Sequence, residues 1–177
     1  AEDLENAFYN YYNKRISLHE FLNFQTWVGG DRDGNPNVTF EISKSAIVSL
    51  INHLILMYNN DLNNLFNDFS ISIKHPEENC RLVKSISKDL KKSKLPKEII
   101  ARYQCEPVRM KLLLIKEKLT YYRDSIRQLK KPELTLKHFQ RDLEILSDFL
   151  EQLSKDKSLV FGDVKKLLIR SKVFGLH

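Results

Sequence analysis

The sequence predicts a mainly α-helical fold: an antiparallel helical bundle made of hairpins, with short extended segments before a glycine-rich loop and at the chain's end. Two observations predict it. Apolar side chains recur at steps of three and four over most of the 177 residues, which is the period of an amphipathic helix. The chain has only 5 glycines and 5 prolines, and three of those glycines lie within residues 27–39, so long stretches elsewhere contain no helix breaker.

The N-terminal segment, residues 2–14, is predicted to be an amphipathic helix. Leu4, Phe8 and Tyr11 are spaced by four and three, and we expect this aromatic stripe to lie in the core. From Ser17 the spacing loosens, and the aromatic residues between 21 and 28 indicate extended chain that leads into the glycine-rich loop.

A long helix is predicted after the loop. Thr39 is a suitable N-cap, and no glycine or proline follows until Pro76. One helix of roughly 25 to 30 residues is the simplest account, well above the usual ~11–12. Its helically spaced apolar residues are Ile42, Ala46, Leu50, Leu54, Met57 and Leu65.

Prolines mark the next helix boundaries. Pro76 suits a first helical position, so we expect a helix to begin there and to end near Pro96, followed by a short helix at 97–104. Because proline is unfavourable inside a helix, Pro107 indicates another boundary. The apolar stripe of the helix that begins at Pro76 is Leu82, Ile86 and Leu90.

Residues 107–154 are predicted to form an antiparallel helical hairpin, because two apolar stripes of equal length flank a short polar connection. A last helix is expected near 163–171. The first stripe is Leu112, Ile115, Leu119, Tyr122, Ile126 and Leu129; the second is Leu136, Phe139, Leu143, Leu146, Leu150 and Leu153.

The net charge of +6 is concentrated in the middle of the chain, since residues 81–131 hold 16 Lys and Arg against 5 Asp and Glu. This basic segment is either a solvated helical face or a docking surface for an acidic partner or nucleic acid. Few aromatic residues and no binding motif accompany it, which favours the solvated face over nucleic-acid binding.

The remaining composition predicts a soluble, cytoplasmic protein. Nothing in the first residues resembles a signal peptide, and the most apolar stretch, 46–58, is shorter than the ~20 residues that a bilayer requires. Cys80 and Cys105 have no Cys-x-x-Cys partner and are expected to be free thiols.

The loop at 29–36 is the candidate functional site, because turn-forming residues and charges are concentrated there. Its chemistry leaves two interpretations open: a tight turn in which Arg32 pairs with a neighbouring aspartate, or a rigid loop that presents Arg32 to an anion. A calcium loop is excluded, since Pro36 and Ile42 occupy the positions that require glycine and glutamate. The candidate residues are Gly29, Gly30, Asp31, Arg32, Asp33, Gly34 and Asn35.

This loop closely resembles the Gly-Gly-Asp-Arg-Asp-Gly-Asn-Pro motif of the phosphoenolpyruvate carboxylase family, and Val38-Thr39 continue the match. The segment 106–109, Glu-Pro-Val-Arg, is similar to that family's Glu-Pro-Tyr-Arg, with valine in place of tyrosine. Residues 172–176 resemble the segment that precedes a later barrel strand. The resemblance implies that residues 1–177 are an internal helical piece of an (α/β)8-type barrel enzyme, with the loop at the C-terminal end of a strand.

The resemblance also implies the reaction: a carbon–carbon lyase of carbon dioxide fixation converts phosphoenolpyruvate and bicarbonate to oxaloacetate, a tricarboxylic acid cycle intermediate, with Mg²⁺ or Mn²⁺. Arg32 would be the catalytic residue of this segment, gripping an anionic reactant, and the other loop residues would support it. The metal ligands and catalytic histidine would lie outside this segment, so we expect the segment alone to be inactive and its parent to be a homotetramer. Arg109 either pairs with Glu106 or reaches a neighbouring segment. The rival hypothesis is a non-enzymatic helical interaction module that uses the basic segment.

Overall fold

The computed structural model describes residues 2–14, 36–69, 80–153 and 161–175, and all regular structure within these residues is helical. The predicted mainly α-helical fold is therefore confirmed. The predicted extended chain before the loop lies outside the described residues. The helices are α1 (Glu2–Tyr12), α2 (Phe40–Asp68), α3 (Arg81–Leu90), α4 (Lys97–Arg102), α5 (Pro107–Arg127), α6 (Leu136–Leu153) and α7 (Phe161–Phe174).

Helix α2 confirms the predicted long helix and its cap. It runs for 29 residues, and its N-cap Thr39 is extended and accepts a hydrogen bond from the backbone N–H of Ile42. The buried face differs from the predicted stripe, of which only Leu65 is buried. The side chains that α2 buries are Ile51, Ile55, Tyr58, Leu62 and Leu65.

Helix starts were predicted at Pro76 and Pro107, and the structure confirms the second. Cys80 is extended, with φ −61° and ψ 134°, so the helix that carries the predicted stripe, α3, begins at Arg81, while Pro76 lies outside the described residues. Pro107 does occupy the first turn of α5, as predicted. At the other end of the chain, the helix continues through Phe174 and ends at Gly175, whose φ is 68°. The last helix therefore runs three residues beyond its predicted end at Ser171, and residues 176 and 177 lie outside the described residues.

Five helices form one hydrophobic core. Helix α5 contacts α2, α3 and α6, while α7 contacts α2 and α6. The middle residues of the predicted stripes of α5 and α6 are buried, whereas Ile126 and Leu136 are half-buried and Leu129 and Leu153 are exposed. Both helices of the predicted hairpin 107–154 are present, but each contacts another helix more extensively than its partner, and the hairpin as a unit stays a prediction.

Helix α1 does not bury its predicted aromatic stripe. Leu4 is 54% exposed and Tyr11 is 82% exposed, so the expectation that this stripe forms core is wrong. An amphipathic pattern indicates which face of a helix can be buried, but burial also requires another element to pack against that face.

Helix α2 is longer than the apolar stretch 46–58 that it contains, and it is long enough to span a bilayer. By length and composition alone it could cross a membrane, and only 11% of its most apolar 18-residue window is buried. Core helices pass the same test. Because α2 contributes five buried side chains to the core between Ile51 and Leu65, we assign α2 to the core of this fold.

Candidate functional site

The predicted site loop lies outside the described residues. This applies to all seven candidate residues, namely Gly29, Gly30, Asp31, Arg32, Asp33, Gly34 and Asn35. The structure resumes at Pro36 and Asn37, which form a turn, and Thr39 then caps α2. The loop is thus joined through three residues to the N-terminus of a long helix, where exposed N–H groups and the helix dipole favour negative charge.

The first turn of α2 already holds one anionic group. The pKa of Glu41 is lowered, first by a backbone hydrogen bond and then by a hydrogen bond from Thr39. Because Glu41 remains ionised, the N-terminus of α2 has one fixed negative charge of its own.

Arg109, in the second family motif, connects two helices. Its Nε donates to the carbonyl oxygen of Phe66 at 2.9 Å, one Nη donates to Glu106 at 3.0 Å, and the guanidinium lies 4.9 Å from the centre of the Phe66 ring. Phe66 is in the last turn of α2, where helix carbonyls lack intrahelical partners. The geometry gives Arg109 a structural role: it joins the start of α5 to the end of α2.

The segment 172–176, the third of the family resemblances, is also bonded to α2, through Gly175. The hydroxyl of Tyr58 donates a buried hydrogen bond of 2.7 Å to the carbonyl oxygen of Gly175, just after α7. Burial raises the pKa of Tyr58, so the hydroxyl keeps its proton. Nearby, Arg170 donates to both carboxylate oxygens of Asp61 at 2.6 Å. These contacts hold the end of α7 against the middle of α2.

The most unusual polar feature is a buried cluster of two lysines and two aspartates, here called the charge tetrad: Lys111, Lys118, Asp89 and Asp142. Lys111 is fully buried, and its ammonium group donates to Asp89 at 2.7 Å and to Asp142 at 2.6 Å. Lys118 contacts the same two carboxylates at 2.7 Å each. Lys111 also donates to the Ser85 hydroxyl at 2.7 Å, so α3, α5 and α6 meet at this cluster.

Opposite charges hold Asp89 and Lys118 ionised against the effect of burial. Burial alone would raise the pKa of Asp89, but hydrogen bonds from Lys111 and Lys118 lower it below its ordinary value. Burial would likewise lower the pKa of Lys118, yet Asp142 and Asp89 raise it. Asp89 and Lys118 are therefore both charged at neutral pH.

The tetrad was not predicted from the sequence, where these lysines were part of a basic segment interpreted as a solvated face. A signal was nevertheless present. Lys111 lies four residues before Ile115 and seven before Lys118, on the apolar side of α5. Asp142 lies beside Leu143, three residues after Phe139, on the apolar side of α6. Opposite charges within two core stripes indicate a buried ion pair.

The basic segment 81–131 is partly neutralised within the fold. Six of its cationic side chains form ion pairs among the described residues, namely Arg81, Lys92, Arg109, Lys111, Lys118 and Arg123. Less of this charge is available for an acidic partner than the sequence suggested, which weakens the hypothesis of an interaction module.

The described residues offer no metal site. Within residues 2–14, 36–69, 80–153 and 161–175, no three His, Cys, Asp or Glu side chains converge. Asp89 and Asp142 are close to each other, but both already accept hydrogen bonds from two ammonium groups. His53 bonds to the carbonyl oxygen of Ser49 in its own helix, and His138 is exposed.

Comparison with known proteins gives a consistent match. The model of the family described as "Phosphoenolpyruvate carboxylase" matches residues 1–177. Similar proteins with that name include one from Prochlorococcus marinus (strain AS9601), 32% identical over 89% of this chain and 15% of the relative. One from Thermosynechococcus vestitus is 29% identical over 90% of this chain and 17% of the relative. One from Rhodothermus marinus is 26% identical over 99% of this chain and 19% of the relative. The chain thus spans less than a fifth of these relatives, and no solved structure matches it.

Proposed function

This chain belongs to the phosphoenolpyruvate carboxylase family, and on that premise we propose that it is an internal segment of an enzyme that carboxylates phosphoenolpyruvate. The products would be oxaloacetate and phosphate, and bicarbonate would be the second substrate. One observation carries the proposal: the eight-residue loop motif at 29–36 lies within a chain that the family model matches along its whole length.

Arg32 is the residue of this segment that we propose to act on the reactants. Phosphoenolpyruvate, bicarbonate and the products are all anions, so the site needs fixed positive charge that is in place before the reaction. Guanidinium suits this role because it is always ionised and its planar fork grips a phosphate or carboxylate in two places. Preorganised charge of this kind stabilises the negative charge that develops in the transition state.

The other loop residues would hold Arg32 in position. Gly29, Gly30 and Gly34 allow the backbone to approach a ligand closely, while Asp31 and Asp33 accept hydrogen bonds from Arg32 or from the loop's own N–H groups. Residues 36–39 join the loop to the capped N-terminus of α2, whose buried residues begin at Ile51.

The family's metal ion, Mg²⁺ or Mn²⁺, would be bound elsewhere in the enzyme. The described residues do not fit such a site, since no three His, Cys, Asp or Glu side chains converge there and the carboxylates of Asp89 and Asp142 are both engaged by lysines. We therefore derive no step through the metal, and we propose that its ligands lie in the parts of the enzyme beyond this segment.

The segment alone is proposed to be inactive, because the chain spans only 15% of the first relative and lacks most of such an enzyme. The complete enzyme is proposed to be a cytoplasmic homo-oligomer, a tetramer by family resemblance, that acts in the supply of oxaloacetate to the tricarboxylic acid cycle.

The test is a carboxylase assay on the full-length protein with the substitution Arg32→Ala. We expect kcat for bicarbonate-dependent oxaloacetate formation to fall by roughly 10²–10³-fold, the usual cost of removing one preorganised group that stabilises transition-state charge. Arg127→Ala, at an exposed position at the end of α5, removes the same charge and should leave kcat unchanged. Both variants should retain the wild-type circular dichroism spectrum.

Two outcomes would contradict this proposal at different levels. A folded Arg32→Ala enzyme with full activity would reduce the loop to a structural turn. A folded wild-type protein without any carboxylase activity would exclude the enzymatic function itself and favour the interaction module.

A further inference from the structure

A groove of about 900 Å³ runs between α3 and α6, with α5 as its floor. This volume lies within the ~300–1,000 Å³ typical of pockets for small molecules. Its lining combines charged groups with an apolar wall. The apolar and aromatic lining residues are Leu114, Tyr121, Tyr122, Leu134 and Ile145.

Two contacts fix how α3 and α6 lie against each other. Near the start of α3, Arg81 donates to Asp148 at 2.6 Å. Eight residues later, Asp89 is linked to Asp142 through Lys118. Since rising residue numbers in α3 meet falling numbers in α6, the two helices are antiparallel along the groove.

All four carboxylates that line the groove already have partners. Asp89 and Asp142 belong to the charge tetrad. Glu117 accepts hydrogen bonds of 2.6 Å from the Ser93 hydroxyl and from the backbone N–H of Lys94. Glu133 pairs with Lys92 at 3.3 Å. Three of them are paired with lysines, whereas Glu117 is bonded only to neutral donors and keeps its negative charge within the groove.

Four cations of the groove have no carboxylate partner among the described residues. The side chains of Lys84, Lys88 and Arg141 form no hydrogen bond or ion pair there. The fourth, Lys94, has its ammonium group 5.4 Å from the centre of the Tyr121 ring. Lys84 and Lys88 are four residues apart on one face of α3. The antiparallel register places Lys88 and Arg141 at about the same level along the groove. Like charges that line one groove repel, and a bound anion would reduce that repulsion.

We propose that this groove binds a phosphorylated small molecule with at least two negative charges. Lys84 and Lys88 would contact it from α3 and Arg141 from α6, where the guanidinium fork suits a phosphate group. The apolar wall would receive the carbon skeleton. The site uses no residue of the loop at 29–36 and is independent of the proposed carboxylase function.

The experiment measures binding of inorganic pyrophosphate to the full-length protein by isothermal titration calorimetry at low salt. We expect Lys84→Gln/Lys88→Gln and, separately, Arg141→Gln to raise the dissociation constant at least tenfold. The control Lys91→Gln/Lys97→Gln removes the same charge as the first variant from exposed positions outside the groove, and should change the constant less than twofold. All these side chains are exposed, so the variants should fold.

The variants also separate this groove from other anion sites. Pyrophosphate held at the predicted loop would be lost in Arg32→Ala and kept in the groove variants, which would overturn the inference while leaving the proposed carboxylase function intact. Absence of saturable binding, or equal losses in the groove variants and the lysine control, would also overturn it. Binding of a single-stranded oligonucleotide without binding of pyrophosphate would instead identify a polymer-binding basic surface.

Discussion

Lys111 is the one fully buried cation among the described residues, and the energetics of the charge tetrad depend on it. Two ammonium groups and two carboxylates neutralise each other, and each carboxylate accepts hydrogen bonds from both lysines. Removing one member leaves a partly buried charge without full compensation, which costs more than the intact pair contributes. The tetrad should therefore be sensitive to single substitutions and tolerant of paired ones.

We predict that Lys111→Met lowers the free energy of unfolding of the 177-residue chain by about 3–5 kcal/mol, the usual cost of breaking a buried ion pair. Lys137→Met, at an exposed position of α6, should change it by less than about 0.5 kcal/mol. Urea unfolding followed by circular dichroism measures both. The double variant Lys111→Met/Asp142→Leu leaves Lys118 paired with Asp89, so it should recover part of the lost stability. If its loss equalled the sum of the losses of Lys111→Met and Asp142→Leu, the two residues would not be energetically coupled.

This residue-scale feature shows where prediction from sequence reached its limit. Lys111 and Lys118 were grouped with fourteen other cations of the segment 81–131, because composition alone does not distinguish a buried lysine from a solvated one. Their carboxylate partners lie on two other helices, so the pairing depends on tertiary structure. The family motif at 29–36, by contrast, is local in sequence and was recognisable without any structure.

At the scale of helices, residue spacing predicted where helices occur better than it predicted which face of each helix is buried. Thr39 and Pro107 marked helix starts correctly because capping and the missing proline N–H act locally. For α2, apolar residues occupy two neighbouring faces, and the position of α5 and α7 decides which one is buried. Pro76 met the preference for a first helical position, but Cys80 is extended and α3 begins one residue after it.

The stripe of α6 gives a prediction at this scale, because the same residue type is buried near its middle and exposed at its end. Leu143 is fully buried, whereas Leu153 is 46% exposed. We expect Leu143→Ala to lower the free energy of unfolding by about 2–5 kcal/mol through lost burial and a cavity, and Leu153→Ala by less than about 1 kcal/mol. Thermal and urea unfolding would measure the difference; equal effects would show that α6 does not pack in this orientation.

At the scale of the whole molecule, the core does not extend along all of α2. No residue from Phe40 to Leu50 is buried among the described residues, while five are buried between Ile51 and Leu65. Phe40 and Ile47 nevertheless lie on the same face as that buried stripe, and they are 63% and 52% exposed. The relatives provide far more chain to cover this face, since the segment spans only 15% of the first of them.

We therefore predict that the first turns of α2 become protected only in the full-length protein. In the 177-residue chain, amides of residues 41–49 should exchange hydrogen much faster than those of 55–65, because unpacked helical turns open locally at low free-energy cost. In the full-length protein, both parts should exchange slowly. Hydrogen-exchange mass spectrometry on the two proteins measures this, with the core of α5 as the internal reference. Equally slow exchange along α2 in the short chain would show that residues 1–177 stabilise the helix by themselves. Fast exchange of 41–49 in both proteins would show that nothing in the full-length protein packs against Phe40 and Ile47.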